Sequence, residues 1–275
     1  MPVSVTVITL NEAANIDACL ASVAWADEIL VVDSGSTDRT AELARARGAR
    51  VVVREWPGYA AQKNFAAGAA SHDWILSVDA DERVTPELAS EIRTLLAATP
   101  AAAGYRMPRV TWHLGRWIRT TDWYPDRQLR LYDRRRADWP ARLVHESVRA
   151  TGPVGQLTHE LRHFAYRDIA HPHETMNRYT TLAAQQMRQD GRRAGLFDLA
   201  IYPAAAFLRN YVLKRGFIDG VPGFIISTMN AYYVFLKLAK TWELQDRGAR
   251  LEVRASTEAR GSSEPRTSDV DVDPR

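Results

Sequence analysis

Apolar and polar positions change period several times in the first hundred residues, and each change marks an element. Val3 to Leu10 is a short, β-branched, apolar run closed by Asn11, which suits a strand buried on both faces of a parallel sheet. Ile16, Leu20 and Val23 then recur at i, i+4 and i+7 and give a helix one apolar stripe. The alternation repeats. Glu28 to Asp33 reads as a second strand, Ser34 to Asp38 as a tight polar turn, Thr40 to Arg47 as a helix stopped by Gly48, and Ala49 to Arg54 as a third strand. Ala60 to Ala70 is alanine-rich and helical, and Trp74 to Val78 is a fourth strand that ends in Asp79-Ala80-Asp81. Thr85 caps the next helix, with Pro86 at its first position and Leu88, Ile92, Leu95 and Leu96 as its buried stripe. Strands alternating with helices of this length form right-handed βαβ units, so an α/β sheet with helices on both faces is predicted.

Beyond Gly104 the pattern is less regular. Tyr105 to Val110, Gln128 to Tyr132 and Leu143 to Val148 are strand-like and are expected to extend the same sheet. From Asp168 the reading is helical. Ala194 to Leu208 and Val221 to Ala239 are unusually apolar and aromatic, but Asp198, Pro203, Asn230 and Lys237 interrupt them. Neither offers the roughly 20 uninterrupted apolar residues that cross a bilayer. With Arg209, Lys214, Arg215, Lys237 and Lys240 beside them, they suit helices lying in a membrane interface; ordinary packing against the sheet is the other reading. After Arg254 the chain is polar and is expected to be disordered. The expected division is an α/β domain over 1–165, a helical region suited to a membrane interface over 166–253 and a tail over 254–275.

Composition narrows the function. The 275 residues, 46% of them apolar, can fill one substantial core, which excludes global disorder. A net charge of +3, from 36 basic and 33 acidic side chains, does not describe a nucleic-acid binder. Charge is nevertheless uneven: between Arg106 and Arg149 eleven arginines face five acids. That stretch is either a solvated basic face or a surface for phosphorylated lipid or sugar. Cys19 stands alone, so no internal disulfide is possible. Met1 to Leu10 carries no basic leader region or cleavage site and reads as a first strand, which points to the cytoplasm.

Ligands of an open α/β sheet bind beyond the carboxyl ends of its strands. Asn11-Glu12, Asp33-Ser34-Gly35-Ser36 and Asp79-Ala80-Asp81 all fall there and are expected to share one crevice. Asp79 and Asp81 can hold a hard cation, Mg2+ or Mn2+, which usually binds one or two carboxylates plus substrate phosphates; such a triplet also arises by chance in surface loops. Asp33 can accept from a base N–H while the small Ser34-Gly35 turn lets backbone approach a ligand, or it can organise an Asx turn; both can hold together. Lys63, within Gln62-Lys63-Asn64, can meet phosphate or base, or can lie on an exposed helix face. Trp112, Trp117, Trp123 and Tyr124, interleaved with Arg116, Arg119 and Arg127, suit stacking on sugar rings, or packing under a loop. His163, His171 and His173 lack a metal-ligand spacing and read as structural or acceptor-side residues.

Taken together, these stretches resemble the family 2 glycosyltransferases, and within them the lipopolysaccharide-core β-1,4-glucosyltransferase subgroup. The matching residues are Ile8-Thr9-Leu10-Asn11-Glu12, Trp25-Ala26-Asp27-Glu28-Ile29, Val32-Asp33-Ser34-Gly35-Ser36-Thr37-Asp38, Trp56-Pro57-Gly58-Tyr59, Gln62-Lys63-Asn64 and Asp79-Ala80-Asp81-Glu82-Arg83. Trp123-Tyr124-Pro125-Asp126, Leu143-Val144-His145-Glu146 and Lys214-Arg215-Gly216-Phe217 continue the likeness, which spans roughly Val3 to Trp242.

The resemblance implies a GT-A fold, Rossmann-like with a mostly parallel sheet and flanking helices, followed by a C-terminal helical region that can associate with a membrane. It also implies a nucleotide diphosphate sugar donor, a divalent metal and inversion at the anomeric carbon. Thr9, Asn11, Glu12, Asp33, Ser34, Gly35, Lys63 and Asp79 would then bind the donor, with Asp33 at the base. Asp81 would hold the ion together with Asp79. Glu146 matches the catalytic carboxylate, Asp126 is the rival base, and His145 can orient Glu146 or the acceptor beside Trp123, Tyr124 and Arg127. No Gln-X-X-Arg-Trp motif is present, so transfer of one sugar is expected rather than polymerisation. The expected donor is a UDP-sugar, glucose by default, and the acceptor a cell-envelope glycolipid or saccharide, met peripherally at the inner face of the cytoplasmic membrane without nucleic acid. Two rivals are a nucleotide-sugar-binding membrane scaffold without turnover and a sugar nucleotidyltransferase. The second normally carries a glycine-rich basic loop after strand one, where this chain has Asn11-Glu12-Ala13-Ala14.

Overall fold

Strand β1 (Val3–Thr9) lies inside the sheet, and nearly every position of it is buried, as its unbroken apolar run requires. It pairs in parallel with β2 (Glu28–Asp33) on one side and with β4 (Trp74–Asp79) on the other, while β2 pairs with β3 (Arg50–Val53). Helices α1 (Ile16–Ser22), α2 (Thr40–Ala46) and α3 (Tyr59–Ala69) make the crossovers, so the predicted βαβ order holds. The computed structural model describes residues 1–140, 147–164 and 170–261, except for the side chains of 170–175 and 246–261.

Two apolar layers enclose the sheet. On one face Val5, Val7, Val31 and Leu76 pack against Ile16, Cys19 and Leu20 of α1 and against Leu88 and Ile92 of α4 (Pro86–Ala97). On the other, Leu30, Val32 and Ile75 meet Ala60, Ala66 and Ala67 of α3 with Tyr132 and Trp139. The start of α4 is as expected: the Thr85 hydroxyl accepts from Leu88 N at 3.2 Å and Pro86 fills the first position. Gly48, at φ +78°, ends α2 in the left-handed region.

Past β4 the sheet becomes mixed. Its order is β3-β2-β1-β4-β8-β6-β12-β5, where β5 is Glu82–Val84, β6 Gly104–His113, β8 Asp126–Asp133 and β12 Leu161–His163. Strand β8 is antiparallel to both β4 and β6, and β12 is parallel to β6 but antiparallel to β5. Strands β7 (Arg116–Ile118) and β11 (Val154–Gln156) attach to the edges of β6. This is the expected GT-A-like arrangement. The short β9 (Ala137–Asp138) and β10 (Arg149–Ala150) form a separate ribbon. Of the strand-like stretch Leu143 to Val148, residues 143–146 lie outside the described part.

The C-terminal region comprises α5 (Ala170–Gln189), α6 (Leu196–Leu208), a π turn at Arg209–Leu213, a 3-10 turn at Gly216–Asp219 and α7 (Gly220–Gly261), against which α5 and α6 pack. The two turns fasten it to the segment Arg119–Asp122 that leads into β8. Asn210 Oδ1 accepts from Asp122 N at 2.8 Å, and the buried Asp219 accepts from Arg119 N at 3.1 Å and Thr120 Oγ1 at 2.6 Å. Helix α7 enters so close to the 3-10 turn that a Cβ on Gly223 would lie 1.9 Å from Gly216 O, so only glycine fits there. Among the described residues no helix is long and apolar enough to cross a membrane. The backbone of α7 continues past Arg254 to Gly261, and 262–275 lie outside the described part.

Candidate active site

Register decides what shares the carboxyl edge. Thr9 stands opposite Asp33, and Ile8 opposite both Val32 and Asp79, so the ends of β1, β2 and β4 are level at one edge of the sheet, with Thr9 and Asp33 on one face and Asp79 on the other. Thr9 is buried and its Oγ1 has no hydrogen-bond partner among the described residues. A buried hydroxyl without a partner is costly, and this one lies at the strand edge where a ligand is expected.

The loop after β2 is tightly tied. Asp33 Oδ2 accepts from Gly35 N at 3.1 Å and Ser36 N at 2.9 Å, and Ser36 Oγ donates to Oδ1. Asp33 therefore organises an Asx-type turn and still has acceptor capacity left on its carboxylate. Gly35 sits at φ +89° with open space where a side chain would be, so the turn exposes backbone to the crevice. The Asn11 side chain accepts from Thr37 N at 2.8 Å, Asn11 N donates to Ser36 Oγ at 2.8 Å and Glu12 N donates to Thr40 Oγ1 at 2.8 Å. Gln62 Nε2 reaches Ser34 Oγ at 3.2 Å. Asn11, Glu12, Ser34 and Gly35 thus shape the wall that Asp33 anchors.

Lys63 is buried rather than on an exposed helix face. Its Nζ donates to Asp79 Oδ1 at 2.8 Å and lies 4.4 Å from the centre of the Trp139 ring. Burial pushes the lysine pKa down against the opposing pull of Asp79. Arg130 takes the other oxygen of Asp79 and also donates to Glu82 Oε1 at 2.8 Å. Arg109 reaches the same Glu82 oxygen at 3.0 Å and clamps Asp126 Oδ2 at 2.9 and 2.6 Å. Lys63, Asp79, Arg130, Glu82, Arg109 and Asp126 form one chain of alternating charge beneath the crevice. Burial alone would raise the pKa of Asp79; Arg130 and Lys63 outweigh it and hold the carboxyl well below its ordinary range. Burial likewise opposes the charge of Arg130, and Asp79 and Glu82 more than restore it.

Asp81 points away from this chain. Its Oδ2 lies 3.4 Å from His163 Nε2, and both side chains are partly exposed. His163 Nδ1 is 3.3 Å from Thr111 Oγ1, which fixes the ring with Nε2 toward Asp81. The pairing of His163 with Glu82 across β5 and β12 brings this histidine to Asp81. A carboxylate oxygen and an imidazole nitrogen, with positions left for diphosphate and water, fit a divalent ion and favour Mn2+ over the more strictly oxygen-bound Mg2+. Among the described residues no group of three His, Cys, Asp or Glu side chains gathers as a protein-only metal cage. Both oxygens of Asp79 are already held by cations, so Asp81 is the better placed of the two aspartates to meet an ion.

On the acceptor side, Tyr124 Oη donates to Glu160 Oε1 at 2.8 Å, and Arg119 grips both oxygens of Glu160. Burial first, then Glu160, raises the Tyr124 pKa. Trp123 lies 5.2 Å from the His113 ring, whereas Trp112 and Trp117 pack on each other at 5.2 Å and so belong to the packing under the loop. Arg127 is exposed on β8 beside Asp126. The arginine-rich middle is largely consumed internally: Arg109, Arg116, Arg119, Arg130, Arg134 and Arg135 all sit in ion pairs. Glu146 and His145 lie outside the described residues, as do the side chains of His171 and His173. Sequence reading missed Glu82, Arg109 and Arg130 as a relay and set His163 aside as structural or acceptor-side, whereas it stands beside Asp81. A charge inside the apolar run Leu129-Arg130-Leu131 was the available signal.

Residues 4–151 match the model of "Glycosyl transferase family 2". The lipopolysaccharide core biosynthesis glycosyltransferase LpsC of Rhizobium meliloti (strain 1021) is 34% identical over 92% of this chain and 96% of its own. An uncharacterized glycosyltransferase, RP128, of Rickettsia prowazekii (strain Madrid E) is 30% identical over 88% of this chain and 87% of its own. A structure of glucosyl-3-phosphoglycerate synthase from Mycobacterium tuberculosis, with Mn2+, UDP and glucosyl-3-phosphoglycerate, covers 70% of this chain and 81% of that one at 20% identity and a TM-score of 0.48. The family model covers more than half of the chain and the LpsC match nearly all of it: the chain belongs to glycosyl transferase family 2.

Proposed function

We propose that this glycosyltransferase moves a single hexose, glucose by default, from a UDP-sugar to a cell-envelope glycolipid such as lipopolysaccharide core. Transfer inverts the anomeric carbon, depends on Mn2+ or Mg2+, and takes place at the cytoplasmic face of the inner membrane. The observation that carries the reading is the level edge of β1, β2 and β4, where Thr9 stands beside Asp33, Asp79 ends the adjoining strand, and Asp81, two residues on, meets His163. The near full-length likeness to LpsC supports the acceptor class.

In this reading Asp33 and the Asn11 to Glu12 wall receive the nucleotide, and the open Gly35 turn lets backbone N–H groups approach it. Asp81 and His163 hold the ion, which when bound stabilises the leaving diphosphate. Asp79, kept ionised by Lys63 and Arg130, accepts hydrogen bonds from ribose or sugar hydroxyls. Glu146 takes the acceptor hydroxyl proton. Asp126 is the weaker choice of base, since Oδ2 is clamped by Arg109 and Oδ1 accepts from Gln128 Nε2 at 2.6 Å. Trp123, Tyr124, Arg127 and His145 are assigned to acceptor binding.

The test is UDP release from UDP-glucose with and without Mn2+ or Mg2+, for the wild-type chain, Asp81→Ala and Glu146→Ala. Metal-dependent release lost in both variants, with donor binding kept in Glu146→Ala, is expected. Release that ignores metal and survives Asp81→Ala overturns the site, and robust pyrophosphate exchange favours a nucleotidyltransferase instead.

A further inference from the structure

Helix α6 buries none of its residues, although it is one of the most apolar segments of the chain. Phe197, Ile201 and Leu208 are 73, 46 and 57% exposed. They follow one another at i, i+4 and i+11, so at about 100° per residue they lie along one outward stripe. Helix α7 does the same. Val221, Phe224, Tyr232, Phe235 and Trp242 are all exposed and spaced i, i+3, i+11, i+14 and i+21, which is again a single stripe. Between the helices, Val212, Leu213, Phe217 and Ile218 on the two turns are at least half exposed, Leu213 reaching 77%.

The stripes are joined. Phe207 stacks on Tyr211 at 5.3 Å and meets Phe224 at 5.7 Å, and Tyr211 also contacts Phe217 at 6.4 Å. A connected apolar surface of this size is far more than scattered exposed side chains, and marks a contact face. Its charge indicates the partner. From Leu196 to Glu243 the basic residues are Arg209, Lys214, Arg215, Lys237 and Lys240 and the acids Asp198, Asp219 and Glu243, of which Asp219 is buried; Arg209 and Lys214 also pair with Asp122. Apolar and aromatic side chains flanked by an excess of basic over acidic ones complement an interface of acyl chains and anionic headgroups.

We propose that the outward stripes of α6 and α7, with the turns between them, dock this enzyme on an anionic lipid bilayer. The proposal deepens, and rests on, the glycolipid-acceptor reading above. Its geometry serves that reading: Asn210 and Asp219, on the turns that carry Leu213 and Ile218, hold the backbone of Arg119 and Asp122 next to Trp123 and Tyr124. Docking would therefore set the acceptor loop beside the headgroups.

The test is co-sedimentation of the full chain with vesicles of phosphatidylcholine alone or with one-third phosphatidylglycerol, for the wild type, Leu213→Asp/Val221→Asp and Phe197→Ser/Ile201→Ser. UDP release from UDP-glucose and thermal unfolding are followed in parallel. Wild-type binding to anionic vesicles that high salt weakens, and a loss of at least about tenfold in both double variants with unchanged unfolding and UDP release, is expected. The proposal is overturned if the wild type binds neither vesicle, if the variants bind as it does, or if sedimentation velocity shows a dimer that the variants convert to monomer. Vesicle binding without UDP release would instead sink the transferase reading and leave the docking face standing.

Discussion

Arg109 Nη1 stands 3.0 Å from Glu82 Oε1, and the same oxygen accepts from Arg130 at 2.8 Å, inside a part of the sheet where Glu82 has no exposure at all. One carboxylate thus serves two guanidinium groups, and Arg109 in turn holds Asp126 while Arg130 holds Asp79. Removing the centre of such a chain leaves buried cations facing each other. Glu82→Ala is expected to lower stability in urea unfolding at neutral pH by about 3–5 kcal/mol. Glu82→Gln, which keeps an acceptor oxygen, is expected to lose less. A loss below about 1 kcal/mol in Glu82→Ala would mean that the relay contributes little.

The Asp81 and His163 pair makes a separate prediction about metal. Thr111 touches His163 Nδ1 on the side away from Asp81, so Thr111→Val should loosen the ring without removing a ligand. We expect Mn2+ affinity, titrated calorimetrically in the presence of UDP, to fall about 10–100-fold in Thr111→Val and further in His163→Ala. Equal Mn2+ affinity in wild type and His163→Ala would exclude the histidine from the site.

Glu28 predicts an acid limb of the stability curve. It ties β2 to its surroundings, accepting from Ser4 Oγ and Ser71 N at 2.6 Å and from Arg50 at 2.7 Å. Burial would raise its pKa, but Ser4, Ser71 and Arg50 together bring it down from 4.5 to about 2. A depressed carboxyl pKa adds stability above the unfolded value and loses it as pH falls toward the folded one. Glu28→Gln should therefore cost about 2 kcal/mol at pH 7, and the difference from wild type should shrink as pH falls from 4.5 toward 2. A difference that stays constant through that window would refute the assignment.

The first half of the fold was legible because each strand there is an apolar run closed by its own turn signal, as Val3–Thr9 is by Asn11 and Trp74–Asp79 by Asp81. Thr85-Pro86 announced α4 for the same local reason. What was not legible is non-local. Strands β5 and β12 have three residues each, too few for a period, and only their antiparallel pairing carries His163 to Asp81. The relay depends on the order β4-β8-β6, which sets Arg130 and Arg109 on neighbouring strands beside Asp79. No spacing in the chain encodes that order. The two readings of Lys63 and Asp33 were separated only by burial: Lys63 is enclosed under Trp139, and Asp33 fills the turn role without exhausting its oxygens.

Thr9 offers the sharpest separation of binding from stability. Its hydroxyl is buried at the end of β1 with no hydrogen-bond partner among the described residues, level with Asp33. In the free protein that oxygen is a cost, so Thr9→Val, which keeps the β-branched shape, should leave stability unchanged or raise it by about 1 kcal/mol. If the hydroxyl instead meets the donor, the same substitution leaves a ligand group unpaired, and UDP-sugar affinity should fall by about tenfold. Calorimetric donor binding and urea unfolding on one preparation decide it. Opposite signs in the two measurements assign the hydroxyl to the ligand. Lost stability with unchanged donor affinity would instead make Thr9 a packing residue of the strand and move the donor wall toward Asp33 and Asn11.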